Sequence, residues 1–160
     1  MAKISDMKMK YRIFMKNYKY RSLAWKTGVW LEKPLSASRI GVVTTAAFHR
    51  PDQAPFDTGY QGGDPSFRIL PEDTDLNKLK AVHPSGSFDH SGIDNDANLS
   101  LPLDRLRELK KEGFIGYSSP RHLSFMGIII SPEKLIAETA EKAADILIED
   151  QVDGVLLTPV

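Results

Sequence analysis

Residues 39–45 read Arg-Ile-Gly-Val-Val-Thr-Thr, a run of mostly β-branched side chains with a single charge. Strands of parallel sheets are buried on both faces, so they have this continuous apolar character. Residues 153–158, Asp-Gly-Val-Leu-Leu-Thr, repeat the pattern near the other end of the chain. The two stretches predict two buried strands of one parallel sheet, and Phe67–Leu70 and Phe114–Tyr117 predict two shorter strands.

Two helical patterns accompany these strands. In the first, Pro102 suits the first helical position and Gly113 fits just past the last turn. The second, over 132–151, follows a serine and begins with a proline, which is typical of a helix start. The predicted buried face of the second helix is Ile136, Ala140, Ala143, Ala144 and Leu147.

The order of strands and helices predicts an α/β fold, specifically a three-layer Rossmann-like or flavodoxin-like parallel sheet. Residues 46–100 interrupt it with five prolines, five glycines and eight aspartates. A stretch this long without a regular pattern is typical of functional surface. We therefore predict one α/β domain over 34–160 that carries a long irregular insertion.

Residues 1–33 form a separate basic segment, with nine Lys or Arg against two acids, although the whole chain has zero net charge. Aromatic and methionine side chains recur at helical spacing and predict an amphipathic helix over about 7–26. The favoured interpretation is a helix that packs its apolar stripe on the domain. No recognised nucleic-acid motif accompanies the basic residues, so nucleic-acid binding is not expected.

Composition excludes several classes of protein. The longest apolar runs are far shorter than the roughly 18–20 residues that a membrane span needs, so no membrane association is expected. The chain has no cysteine, which excludes disulfides, thiolate metal sites and a thiol nucleophile within these 160 residues. The lack of cysteine also fits a reducing compartment, so a cytoplasmic location is expected.

The last predicted strand runs into Thr158-Pro159-Val160, at what would be the carboxyl edge of the sheet. Open α/β folds bind their ligands at this edge. Periodicity favours neither of two interpretations: an edge strand that completes the fold, or a chain cut short of the next helix. An uncovered apolar strand also predicts self-association into a homo-oligomer.

Six short motifs follow one another along the chain from residue 33 onward. They are Lys33-Pro34-Leu35-Ser36, Gly63–Arg68, Leu101–Leu106, Pro120-Arg121-His122, Ser124–Gly127 and Asp153–Pro159. In this order they resemble the selenoprotein B family, the substrate-specific subunits of glycine, betaine, sarcosine and D-proline reductases.

The resemblance implies reductive cleavage of a carbon–nitrogen bond by a selenolate or thiolate, with a small amino-acid-like substrate and further reductase subunits as partners. It also implies a selenocysteine, or a cysteine in its place, immediately after Asp153–Pro159, where this sequence has none. We therefore expect no cofactor in this chain, and a chain truncated at a selenocysteine codon that is read as a stop.

Histidines are the candidate proton donors, because imidazole titrates near neutral pH. We predict His122, His90 and His49 as catalytic residues, although each could instead bond a backbone carbonyl. Arg121 is predicted to bind a substrate carboxylate, and His83, Asp94 and Asp96 are predicted to contact the substrate.

Asp94, Asp96 and Asn98 imitate the alternating ligands of a calcium loop, but Leu99 and Arg105 occupy positions where that loop needs glycine and glutamate. A hydrogen-bonded loop is the favoured interpretation, and no metal site is assigned. The alternative to a reductase subunit is a non-catalytic α/β binding module, which would hold its partner through the long polar loop and the basic N-terminal helix.

Overall fold

The structure, a computed structural model, describes residues 8–17, 29–83 and 90–160. It divides into two compact units, residues 1–30 and 31–160. The first unit contains helix α1, Met9–Asn17, which lies inside the predicted amphipathic helix. The remainder of that predicted helix, residues 7 and 18–26, lies outside the described residues. None of the helices among the described residues is both long and apolar enough to cross a membrane.

A five-stranded sheet organises the second unit around β1, Arg39–Thr44. On one side β1 pairs in parallel with β7, Gly154–Thr158. On the other side it pairs in parallel first with β5, Tyr117–Ser118, and then with β6, Arg121–Phe125. The far edge is β3, Phe67–Pro71, which runs antiparallel to β6.

The remaining elements lie around this sheet. A short antiparallel ladder joins β2, Phe48–His49, to β4, Lys80–Ala81. Helices α2, α3 and α4 span His90–Asn95, Leu103–Lys111 and Ala140–Glu149. Val42 of β1 shares a buried cluster with residues of α2 and α3, whereas Val43 packs in a cluster with α4, so helices cover both faces of the sheet.

The α/β class is confirmed, and so is parallel pairing for three of the predicted strands, β1, β5 and β7. The sheet as a whole is mixed, because β3 is antiparallel, so the wholly parallel sheet is wrong. Strand β6 was not predicted, since Arg-His-Leu-Ser-Phe after Pro120 has neither an apolar run nor a clean alternation. It is nevertheless buried at four of its five positions.

The second predicted helix forms, and Ala143 and Leu147 of its predicted buried face pack on the sheet, whereas the other three residues of that face do not. A π-helical turn spans Leu135–Thr139 ahead of α4. A π turn contains an extra residue, so it rotates everything before it relative to the helix that follows. As a result Leu135, and not Ile136, packs into the cluster with Ala143. Ala140 and Ala144, which belong to α4 itself, are exposed as well.

Candidate functional site

Three parallel strands end together at the carboxyl edge of the sheet. The backbone N–H of Thr45, just past β1, donates to the carbonyl of Thr158 at 3.3 Å. The N–H of Gly127, just past β6, donates to the carbonyl of Thr45 at 3.0 Å. Val160 is held here too, since its N–H donates to Oγ1 of Thr45 at 3.0 Å. Thr45 therefore joins the ends of β1, β6 and β7, where α/β proteins bind ligands.

His83 lies at this edge, against the backbone that follows β6. A Cβ atom added to Gly127 would be 2.5 Å from Nε2 of His83 and 3.4 Å from the carbonyl oxygen of Thr45. The ring therefore occupies the space that the glycine leaves open. His90, the first residue of α2, lies edge-on to His83 with ring centroids 6.4 Å apart. The structure thus brings two of the predicted site residues together at the carboxyl edge.

Burial lowers the pKa of His83, and the neighbouring His90 lowers it further through charge repulsion. Both effects disfavour the imidazolium form. The neutral form of His83 is therefore favoured, and a proton on His90 disfavours a second proton on His83. A neutral imidazole next to a second one can accept or pass on a single proton.

The backbone at this edge is strained at two positions. Ala47 follows the end of β1 with φ of 55°, and Ile128 follows the end of β6 with φ of 59°. Left-handed backbone is rare for any residue with a Cβ atom and rarest for a β-branched one such as isoleucine. Strain of this kind costs about 1–3 kcal/mol per residue and is frequent at functional sites.

A groove with a cavity volume of about 440 Å³ lies beside α2 and β4. Its apolar lining includes Phe48 and Ile93, and its polar lining includes Lys80 and Asp94. Lys80 precedes His83 by three residues, and Asp94 is one helical turn after His90. The groove therefore has charged groups of both signs and borders α2, which begins with His90, and β4, which ends two residues before His83.

Asp96 lines the same groove and closes a turn. Its Oδ1 accepts the backbone N–H of Asn98 at 2.9 Å, and the Asn98 side-chain carbonyl accepts the N–H of Asp104 at 3.0 Å. The predicted hydrogen-bonded loop is therefore present. Among the described residues, no group of three or more His, Asp or Glu side chains is placed to hold a metal ion.

His122 lies inside the sheet and has no exposed surface. Its Nδ1 accepts the backbone N–H of Val42 at 3.1 Å, so the proton of the neutral ring is on Nε2, which donates to Oγ of Ser118 at 3.3 Å. Burial lowers its pKa to about 4. Both nitrogens thus have protein partners, and the proposed catalytic role of His122 stays a prediction.

Arg121 begins β6, so it lies at the amino end of the parallel strands, opposite the edge that carries His83. Its guanidinium donates to both carboxylate oxygens of Asp150 at 2.7–3.0 Å and to Glu149 at 3.0 Å. These hydrogen bonds raise the pKa of Arg121. The guanidinium already binds two carboxylates of the protein, and substrate binding by Arg121 stays a prediction.

His49 is buried on β2, opposite Lys80 in the short ladder. Its Nδ1 lies 2.9 Å from the carbonyl oxygen of Arg50, and because a carbonyl only accepts, Nδ1 carries the proton. Sequence analysis missed Thr45 and Gly127, which organise the carboxyl edge. The signals for them were the place of Thr45 at the end of the apolar run 39–45 and the place of Gly127 in the motif Ser124–Gly127.

Comparison with known proteins agrees with the motifs. Residues 68–160 match the family described as glycine/sarcosine/betaine reductase selenoprotein B. The chain is 36% identical over 132 residues to the D-proline reductase subunit gamma of Acetoanaerobium sticklandii, across 81% of this chain and 52% of that protein. It is 31% identical over 137 residues to the betaine reductase complex component B subunit beta of Peptoclostridium acidaminophilum, across 79% of this chain and 29% of that protein.

No solved structure gives a significant match. The chain spans about half the length of the first of these relatives and less than a third of the second. The family match nevertheless covers more than half of this chain and includes β3, β6, β7 and the helices between them. The chain belongs to the glycine/sarcosine/betaine reductase selenoprotein B family.

Proposed function

We propose that this chain forms part of a reductase subunit that cleaves a carbon–nitrogen bond in a small amino-acid-like substrate. The reacting selenolate or thiolate would belong to a residue that follows Val160 in the complete polypeptide. The observation that carries this proposal is the hydrogen bond between Val160 and Thr45. Because of it, a residue after Val160 would begin at the edge where His83 and His90 meet.

The selenolate or thiolate would supply the nucleophile that attacks the carbon, and a thiol reductant would finally supply the two electrons. The residues of this chain would bind the proton and transfer it. When the carbon–nitrogen bond breaks, its electron pair leaves on nitrogen, which must be protonated. His83 and His90 are the pair we assign to this transfer, because they lie at the same edge and share one proton more easily than they hold two.

We assign substrate binding to the groove beside α2. Asp94 would pair with the positively charged nitrogen and Lys80 with the carboxylate of an amino-acid-like compound. The relatives are named for D-proline and betaine, which combine these two charges. They are also named as a subunit gamma and as a component B subunit beta, and we propose that further reductase subunits are partners here as well.

The gene gives the first test of this proposal. Sequence beyond the codon of Val160 should contain an in-frame selenocysteine codon, followed by a reading frame that resembles the rest of the D-proline reductase subunit gamma. Ordinary non-coding sequence at that point would contradict the proposal.

The second test uses the complete frame with cysteine in place of selenocysteine. The rate of alkylation of that thiol, followed against pH, should give a pKa well below the ordinary value of about 8.5. A thiol with an ordinary pKa would favour the non-catalytic binding module. In the same protein, His83→Gln and His90→Gln should lower kcat for carbon–nitrogen cleavage at least ten-fold, whereas the control Lys111→Gln, at an exposed position at the end of α3, should not.

A further inference from the structure

The two edges of the sheet differ in how far other residues cover them. At the β3 edge, the side chain of Gln53 donates to the carbonyl of Ile69 at 2.9 Å, and Arg68 donates to the carbonyls of Ala54 and Pro55. A preceding loop therefore covers this edge. At the other edge, β7 pairs only with β1 among the strands of the described residues.

The backbone of β7 alternates between its two sides. The carbonyl of Thr158 faces β1, because it accepts the N–H of Thr45. Alternate residues of a strand direct their N–H and C=O groups to the same side, so Leu156 also faces β1, while Val155 and Leu157 face outward. Natural edge strands are usually blunted by charges, proline or bulges. From Gly154 to Thr158 this strand has none of the three.

An apolar surface adjoins this edge. We call it the open surface; it consists of Ile136, Ala140, Ala144 and Ile148 along one side of α4 and the turn before it, with Val155 and Leu157 on β7. Ile148 is 73% exposed and Leu157 is 68% exposed. Leu147 of α4 packs beside Gly41, the partner of Val155, so α4 lies on the face of the sheet to which the Val155 side chain belongs.

We propose that the open surface receives a strand and a helix from the portion of the reductase polypeptide that lies outside the aligned region in the D-proline reductase subunit gamma. That protein is about twice as long as the part that aligns with this chain. The strand would pair with the outward N–H and C=O groups of β7, and the helix would cover the exposed side of α4. The inference rests on family membership and not on the proposed redox chemistry.

The shape of the surface favours this occupant over a second copy of the chain. In a two-fold dimer the two β7 edges would pair antiparallel to each other, whereas β1, β5, β6 and β7 of this sheet all pair in parallel. A parallel strand needs a crossover, which is usually a helix packed on the same face of the sheet. A strand with its crossover helix therefore accounts for both halves of the open surface.

The chain has no cysteine, so a single introduced cysteine is its only thiol and can be followed by alkylation. The variant Leu157→Cys carries one thiol on the open surface, and Leu99→Cys carries one at a matched position elsewhere, since Leu99 is 67% exposed. Each variant is produced alone and also co-expressed with the unaligned portion of the D-proline reductase subunit gamma. The alkylation rate of the 160-residue chain is then followed by intact mass.

Alone, both thiols should react at similar rates. In the co-expressed complex, the thiol at position 157 should react at least ten-fold more slowly, and the thiol at position 99 should be unchanged. Failure of the two polypeptides to co-purify, or an unchanged rate at position 157 in the complex, would overturn the proposal. Protection at position 157 that rises with the concentration of the chain alone would identify a second copy as the occupant and overturn it as well. Activity is not measured, so failure here leaves the redox proposal untouched.

Discussion

The Nδ1 atom of His122 accepts the backbone N–H of Val42 at 3.1 Å, in the middle of the central sheet. The reason is a break in the ladder next to β1. Ile40 pairs with Ser118 and Val43 pairs with Leu123, so the β5–β6 segment has two more residues than β1 over this distance. The N–H of Val42 loses its usual backbone partner there, and the imidazole takes that partner's place. His122 thus completes the sheet, and its predicted catalytic role stays a prediction.

Removal of this acceptor should destabilise the protein. His122→Ala leaves the buried N–H of Val42 without a partner and also leaves a cavity, so we expect the free energy of unfolding to fall by about 2–4 kcal/mol. His122→Asn retains an acceptor at nearly the same distance from the backbone and should lose less. Urea unfolding of both variants measures the difference, and equal losses would contradict the role of Nδ1.

Stability should depend on pH through the same residue. The pKa of His122 is lowered from 6.5 to about 4 by burial, so between these pH values the unfolded chain binds more protons than the folded chain. The contribution is fully present above about pH 6.5 and is lost as the pH falls towards 4, which amounts to roughly 3 kcal/mol. Urea unfolding over this range should show the loss.

His83 also has a lowered pKa, so it too makes the free energy of unfolding depend on pH. The contribution of His122 is therefore measured as the difference between the wild type and His122→Asn. Unfolding of His122→Asn should depend on pH more weakly than unfolding of the wild type. Parallel stability curves for the two proteins would show that His122 is not the source of the dependence.

The ion pair of Arg121 and Asp150 should be structural. Asp150 is buried, and loss of its partner would leave an uncompensated charge, so Arg121→Ala should cost about 3–5 kcal/mol of unfolding free energy. The exposed pair of Arg50 and Asp52 provides the control, and Arg50→Ala should cost less than about 1 kcal/mol. Thermal and urea unfolding measure both, and similar losses in the two variants would contradict the assignment.

Gly127 and His83 should be energetically coupled. Gly127→Ala places a methyl group within 2.5 Å of Nε2 of His83, so the ring must move, and we expect a loss of about 1–3 kcal/mol. His83→Ala removes the obstacle, and in that background the same glycine substitution should cost much less. A double-mutant cycle by urea unfolding measures the coupling, and additive losses would show that the ring does not occupy this space.

Local signals were sufficient for part of the fold. The apolar runs of β1 and β7 could be recognised because a strand buried between layers needs few polar residues. Helix α3 could be recognised from Pro102 before it and from Gly113 after it, which has φ of 73°. For the site, sequence order placed His83 and His90 in the long insertion but could not show that they meet.

Other features depend on contacts between residues distant in the chain. Strand β6 is polar in sequence and nevertheless buried, and the partner that His122 finds there is the backbone N–H of Val42, 80 residues earlier in the chain. The register of α4 depends on a π turn, and the antiparallel direction of β3 depends on how the long insertion returns to the sheet. None of these has a signature within one helical turn or one strand.

The amino-acid sequence by itself determined the family, the α/β class and the position of the two apolar strands, because these follow from motifs and from local hydrophobic patterns. Only the tertiary structure decided which histidines are available at the carboxyl edge. His83 and His90 meet there, whereas His122 lies inside the sheet. The physical reason is that a polar side chain has the same local pattern whether it bonds a buried backbone group or lines a site, and the two are separated only by what surrounds it.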